Sequence, residues 1–538
     1  MERLKKITRD IFERRIGPAS WLGNFLGLVM LRLFLDKFIA KTSSPLFDFI
    51  MDIHNILFFG LTFLLVWLVL SLVLREKPFK LSYLMLLASS FIVFPPIFDL
   101  LRTGGEVFWS FYLISAPKDL GWQFLTIFGH LPTGIVYFGT KITFISAIII
   151  LSGLVFLRTR SVWKAFFSAI GTYCALFFMA AFPSILAYLG IFLTRGDFLK
   201  IKPYELIQFF SSFKILGVEL EKLAYSVAYN LNFIYFLLIL AILSLFFFWS
   251  EKVKFIAVLR NFRYPQLIYH GGLFFCGLGL GFLAYPQDIT WEFFPFLAIL
   301  GLLSSVALSW KASIIPNDLR DIEIDKLTNS SRPLPSGLFG KDEYRQFGIT
   351  VFILAVLGGF LVSYQFGWLL VAYQVLAWFY SAEPMRLKRF PLIATALSAL
   401  ASLLILMLGF ILFSPDQNLE GFPWRIFWLL FLSYTLCLPI KDFKDIPGDK
   451  RDSVWTIPVI LGETKGRLVV GSAFFISYLL SVFFLNEWNL FFWSLIFGSI
   501  SFWVINNKKI ASWRLIWWNL AIVSVYGLIL VKIVFLKS

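Results

Sequence analysis

Hydrophobic positions come in long unbroken runs separated by short charged stretches, and they do not alternate with polar positions as the strands of a membrane barrel would. Each run holds roughly 18 to 25 residues, enough for a helix to cross a hydrocarbon core about 30 Å thick. A helix also satisfies its own backbone hydrogen bonds in lipid, where water cannot. The pattern predicts six spans in the first half, near 21–40, 55–74, 81–100, 133–157, 164–193 and 229–249. Nine more follow near 267–285, 292–313, 347–365, 366–381, 391–413, 424–440, 467–485, 489–506 and 513–532. The expected fold class is an all-α polytopic membrane protein. Phe94-Pro95-Pro96 and Leu131-Pro132-Thr133-Gly134 predict kinks or helix ends. The first span has no small-residue cleavage site and is read as retained.

Composition agrees with a life in lipid: 59% of the 538 residues are hydrophobic and 15% charged, with a mean hydropathy of +0.81. The net charge of +16 does not indicate a nucleic-acid partner, because the basic residues fall in alternate loops. These are Arg3 to Arg15, Arg75 to Lys80, Arg158 to Lys164, Lys252 to Arg263, the 311–346 loop, Arg386 to Arg389, Lys441 to Arg451 and Lys508/Lys509. That distribution puts the N-terminus in the cytoplasm. The loop from Thr194 to Tyr225 is the exception, since it carries several lysines on the opposite side.

Cys174, Cys276 and Cys437 have no metal-site or disulfide spacing and read as small packing residues. His54, His130 and His270 are scattered, with interfacial or packing roles expected. Arg32 and Asp36 share a face of the first span and predict an intramembrane ion pair, and Lys141 a snorkelling lysine.

Two acidic stretches remain, NDLRDIEID from Asn317 to Asp325 and KDFKDIPGD from Lys441 to Asp449. In the first, Asn317, Asp321 and Asp325 recur every fourth residue and share a helix face, with Asp318 at its edge and Glu323 off it. In the second, Asp442, Asp445 and Asp449 again share a face, although Pro447 interrupts a continuous helix ahead of Asp449. Oxygen donors gathered beside a membrane suit Mg²⁺, which keeps waters and bridges to substrate phosphates. The same acids could instead solvate helix ends or pair with Arg320, Lys326, Lys444 and Lys450. Both stretches follow the second and sixth spans of the nine-span block, on the cytoplasmic side.

The stretches NDLRDIEIDKLTNSSRPLPSG, YSAEPMRLKR and KDFKDIPGDKRDSVWTIPVILG resemble the UbiA superfamily of intramembrane prenyltransferases over about residues 255–538. The resemblance implies a nine-helix bundle that moves an isoprenoid from a polyprenyl diphosphate donor to a lipophilic or aromatic acceptor among membrane lipids, with Mg²⁺. It implies that Asn317, Asp318, Asp321 and Asp325 hold one metal and Asp442, Asp445 and Asp449 another. It further implies that Arg386, Lys388, Arg389 and Lys441 neutralise the leaving diphosphate and that Tyr380 steadies the departing oxygen or the cation. For the basic residues and Tyr380, cytoplasmic anchoring is the plainer role. The chain departs from the family pattern at Leu319-Arg320, where an aromatic pair is common, and at Asn329-Ser330-Ser331.

The nine-span block is preceded by an additional domain of about six spans, in which no family resemblance is recognised and no aspartate motif is repeated. The expected organisation is an accessory membrane domain at 1–250 of unassigned role and partner, a basic amphipathic linker at 251–265, and the prenyltransferase domain at 266–538. A membrane transporter or a non-catalytic scaffold is the alternative reading of such a bundle. A transporter, however, would place its ionisable residues at mid-membrane. A CDP-alcohol phosphotransferase would carry a DGxxAR signature, which is missing.

Overall fold

The structure is a computed structural model that describes residues 2–39, 48–104, 113–114, 116–129, 136–196, 201–210, 214–215, 218–219, 223–286, 293–451 and 453–536. Every predicted span coincides with helix. In the first half these are Pro18–Ile39, Phe49–Leu74, a segmented span over Pro78–Arg102, Phe138–Thr159, Val162–Arg195 and Leu223–Arg260. In the second half they are Tyr264–Ala284, Phe293–Arg320, Lys341–Phe360, Tyr364–Ser381, Pro391–Ile411, Trp424–Cys437, Ile457–Leu485, Phe491–Asn506 and Ser512–Val534. Among the described residues, 12 helices are long and apolar enough to cross a membrane, which makes this a multi-pass integral membrane protein. Pro18–Ile39, Lys341–Phe360 and Tyr364–Ser381 are not among those. Lys214–Ile215 and Val218–Glu219 form a minimal antiparallel pair. Leu131–Gly134 and His130 lie outside the described residues.

Close helix approach in the second half is decided by glycines. Tyr264–Ala284 packs along Pro391–Ile411, and a Cβ on Gly277 would stand 1.9 Å from the Leu406 carbonyl oxygen, one on Gly281 2.4 Å from that of Phe410, and one on Gly409 2.1 Å from that of Phe274. Between helices in lipid, where no hydrophobic force drives association, such backbone proximity supplies the packing.

The third span breaks where its prolines require it. Ser82–Ser89 passes through a tight turn at Ser90–Val93 into Phe94–Thr103. Pro96 has no N–H to offer the Ile92 carbonyl, and Arg32 takes that place, donating Nη1 to Ile92 O at 3.1 Å while its Nε pairs with Asp36 at 2.6 Å. The predicted Arg32–Asp36 pair therefore exists and repairs the break. Lys141 Nζ donates to the Gly129 carbonyl at 2.6 Å. Cys437 is half-buried, whereas Cys174 and Cys276, read as small packing residues, are exposed; a thiol is apolar enough for a membrane-facing surface.

Two boundaries differ from the sequence reading. The last helix of the first half was expected to end near residue 249, yet it continues past a break at Glu251 (φ −142°, ψ 57°) to Arg260. The span expected at 467–485 begins at Ile457, because Gly462 at φ +75° lets the chain turn and re-enter helix. The principal core runs through both halves, from Phe12 to Phe427.

Candidate active site

The first acidic stretch begins inside a helix and ends in a separate one. Phe293–Arg320 contains Pro316 and finishes with Asn317 and Asp318, after which Asp321 precedes the short helix Ile322–Thr328. The i→i−4 rhythm survives the junction: Asp321 N donates to Asn317 O at 2.9 Å and Asp325 N to Asp321 O at 2.8 Å. Asn317, Asp321 and Asp325 consequently stay in register, as their spacing predicts.

The second stretch forms a tight turn over Leu438–Lys444 followed by the short helix Ile446–Arg451. Asp445 N donates to Asp442 O at 3.0 Å and Asp449 N to Asp445 O at 2.9 Å, so Pro447 falls in the first turn of the new helix and removes no needed donor. Ile322–Thr328 packs against Ile446–Arg451, which brings the two stretches together.

Basic side chains meet the acids at this junction. Lys388, in the tight turn Leu387–Arg389, is buried and donates to both Asp321 oxygens at 2.6 Å and to Asn317 Oδ1 at 3.2 Å. Arg386, 2% exposed, has Nη2 3.7 Å from Asp321 Oδ1. Lys441 donates Nζ to the Tyr380 hydroxyl at 3.3 Å and lies 5.2 Å from the centre of its ring. Arg389 is placed elsewhere: half exposed, it pairs with Glu383 at 3.2 Å beside Arg320.

The remaining acids have distinct surroundings. Arg332, from the RPLPSG turn, donates Nη1 to both Asp325 oxygens at 2.6 Å, and Asn329 donates to Asp325 Oδ1 at 3.1 Å. Burial holds the Asp325 carboxyl above its usual range despite Arg332. Both oxygens of Asp318 are engaged, Oδ1 by Arg263 at 2.6 Å and Oδ2 by Asn261 at 2.7 Å and the Tyr344 hydroxyl at 3.0 Å. Asp449 is pushed up to about 8, first by burial and then by Asp442 and Asp445, with Lys388 opposing and Asp321 adding to the same-sign charge. That Asp321, from the first stretch, adds to the rise of Asp449 in the second reflects the convergence of the two acidic stretches. Glu323 is exposed and pairs with Lys326 at 2.8 Å.

Among the described residues, no three His, Cys, Asp or Glu side chains gather closely enough to hold a metal ion by themselves. The donor chemistry nonetheless fits a hard divalent cation. Asp442, Asp445 and Asp449 are oxygen donors whose shared negative charge is expensive, and on the facing stretch Lys388 already meets that need for Asp321.

The UbiA prenyltransferase family matches residues 272–521. Digeranylgeranylglyceryl phosphate synthase of Sulfolobus acidocaldarius is 30% identical over 201 residues, covering 36% of this chain and 70% of that one. The chain belongs to the UbiA prenyltransferase family. Synthases of the same name from Methanosphaera stadtmanae (30% identical over 176 residues) and Sulfurisphaera tokodaii (28% over 184) match 32% and 34% of this chain, which spans 61% and 64% of their lengths. Among solved structures, a UbiA homolog from Archaeoglobus fulgidus bound to GPP and Mg²⁺ has 19% identity and a TM-score of 0.40, over 51% of this chain and 99% of that one. The apo structure of a UbiA homolog from Aeropyrum pernix K1 has 17% identity and a TM-score of 0.38, over 50% and 98%.

Sequence reasoning missed the partners of Asp318, two of which, Asn261 and Arg263, precede the family-matched residues. Arg263 reads as one more positive-inside residue, and Tyr344 falls in the 311–346 loop, just ahead of a predicted span. Lys311 offered a usable signal, since an ionisable residue inside an apolar run is functional by default. It is 1% exposed and donates to the Asn261 carbonyl at 3.2 Å.

Proposed function

We propose that this chain transfers an isoprenoid group from a polyprenyl diphosphate to a lipophilic acceptor in the membrane, with Mg²⁺. The observation that carries this reading is the meeting of the two acidic stretches beside buried Lys388 and Arg386 and half-buried Lys441. Breaking an allylic C–O bond leaves the electron pair on diphosphate and a cation on carbon, so fixed positive charge is needed where the anion forms. Arg386 and Lys388, buried beside Asp321, would supply it, and Lys441 stands against the Tyr380 ring and hydroxyl. Asn317, Asp321 and Asp325 on one side, and Asp442, Asp445 and Asp449 on the other, are the groups that would hold Mg²⁺, which when bound withdraws charge from the departing diphosphate. Asp318, held at once by Arg263, Asn261 and Tyr344, serves as an anchor for its neighbours. Arg389 serves the rim through Glu383. Tyr380 offers its ring to the allylic cation, and the acceptor's nucleophilic oxygen or carbon then forms the new bond and loses its proton.

Within the lipophilic class, similarity to digeranylgeranylglyceryl phosphate synthases favours a geranylgeranyl diphosphate donor and the hydroxyl of a glycerol phosphate lipid as acceptor. The charge bias of the loops favours a cytoplasmic N-terminus with both acidic stretches on that side, and residues 1–250 form an accessory domain. The test is Mg²⁺-dependent consumption of labelled geranylgeranyl and farnesyl diphosphates by membranes holding this chain, with Asp321→Ala as control. A labelled lipid product absent from the control supports the reading; no product with any donor from folded protein overturns it.

A further inference from the structure

The end of the first half is joined to the first acidic stretch by more than the chain itself. Ser250 marks the start of an arm that runs through the break at Glu251 to Arg263. The loop after the second helix grips that start: Lys77 Nζ donates to the Ser250 carbonyl at 3.1 Å, and the Phe79 amide to its hydroxyl at 3.3 Å. Midway, Lys254 pairs with Glu343 and lies over the Phe339 ring.

At the far end, the arm and the first-motif helix clasp each other. Trp310 Nε1 donates to Phe262 O at 2.9 Å and Lys311 Nζ to Asn261 O at 3.2 Å. In return, Asn261 and Arg263 donate to opposite oxygens of Asp318 at 2.7 and 2.6 Å. Arg263 does so from a left-handed backbone, φ +52°, a conformation that a non-glycine residue keeps only where its surroundings impose it.

This clasp sits where the helix is weakest. Pro316 has no N–H for the Ala312 carbonyl, so the turn carrying Asn317 and Asp318 is held less firmly by its own helix. External bonds to Asp318 therefore set how that turn is rotated. The setting passes onward, because Asp321 N donates to Asn317 O and Lys388 holds both residues.

We infer that residues 250–263 are a tether by which the first half of the chain positions the first acidic stretch, with Asn261 and Arg263 as positioning residues acting through Asp318 on Asn317 and Asp321. The inference deepens the proposed prenyl transfer and rests on it for its kinetic readout, while its structural readout is independent of activity.

The test uses the full chain in lipid nanodiscs. Asn261→Ala is expected to raise the Mg²⁺ concentration for half-maximal transfer by up to about tenfold, the lower end of what losing a direct partner of a metal ligand costs, because it acts one step further out through Asp318, with the acceptor KM unchanged. Arg263→Lys, which can still donate to Asp318, is expected to retain most of the wild-type response. The remote double variant Lys77→Ala/Ser250→Ala cuts the tether at its other end, and is expected to shift Mg²⁺ dependence in the same direction and to speed amide hydrogen exchange across residues 317–328. If Asn261→Ala does not fold, the remote variant decides. Unchanged exchange and unchanged Mg²⁺ dependence in the remote variant overturn the tether. Wild-type protein that transfers nothing overturns the proposed function instead, and hydrogen exchange then decides the tether alone.

Discussion

Lys388 places its ammonium 2.6 Å from both carboxylate oxygens of Asp321, joining the turn after one helix to the acidic end of another 67 residues away in sequence. The pair is buried, so removing either partner leaves a charge with no water to receive it, at a cost of about 3 to 5 kcal/mol. The amide of Asp321→Asn avoids part of that penalty while removing the anionic ligand. Turnover by this variant should fall at least about a hundredfold, the scale seen when a group aimed at developing charge is lost. Initial rates at saturating Mg²⁺, with the thermal midpoint measured alongside, check this; near-wild-type turnover would remove Asp321 from the site.

Tyr380→Phe separates the ring from the hydroxyl. The ring that faces Lys441 survives and only the 3.3 Å hydrogen bond disappears. A net loss of about 0.5 to 1.5 kcal/mol is expected for one such bond, which is roughly tenfold in kcat/KM or less. Tyr380→Leu, which also removes the aromatic face, should cost more. Equal losses in the two variants would mean that the hydroxyl alone matters.

Asp449 gives the site a dependence on pH. Burial, Asp442 and Asp445 raise its carboxyl to about 8, so without metal it keeps its proton at neutral pH. A raised folded-state pKa favours folding at low pH, and that contribution is lost as pH climbs through the acid's unfolded value towards 8. Metal binding needs the carboxylate and must expel the proton. Apparent Mg²⁺ affinity should therefore increase from pH 6 to pH 8, by at most about tenfold per unit for one proton. Asp449→Asn should flatten that slope. Calorimetric titrations in buffers of different ionisation enthalpy would detect proton release; its absence sinks the prediction.

Gly277→Ala should destabilise the bundle without touching the chemistry. Its Cβ would lie 1.9 Å from the Leu406 carbonyl oxygen, a backbone atom with no side-chain torsion to relieve the clash. Overpacking of this kind costs about 1 to 3 kcal/mol. Thermal unfolding in detergent should show a lower midpoint than for Gly279→Ala, where nothing lies within 4 Å.

Glu323→Ala should leave turnover within about twofold, since an exposed pair such as Glu323 with Lys326 is worth little. A loss as large as that of Asp321→Asn would place Glu323 among the ligands after all.

The sequence by itself determined the helical class, the order of the spans and the register of the acidic stretches. Each of those depends on short-range periodicity: an apolar run must cross lipid as a helix, and residues every third or fourth position must share a face. Family membership followed from the same local motifs. Which acid is matched by which base was decided only in three dimensions, because Lys388 with Asp321, Arg332 with Asp325 and Arg263 with Asp318 are pairings between segments that meet through helix packing. Arg389 illustrates the difference, since it neighbours Lys388 in the chain yet pairs with Glu383 at the rim. A tight turn sends successive side chains in different directions, and no spacing rule says which one enters the site. The bond from Arg32 to the carbonyl that Pro96 leaves without a partner is of the same kind, predictable as a need from the proline and as a solution only from the fold.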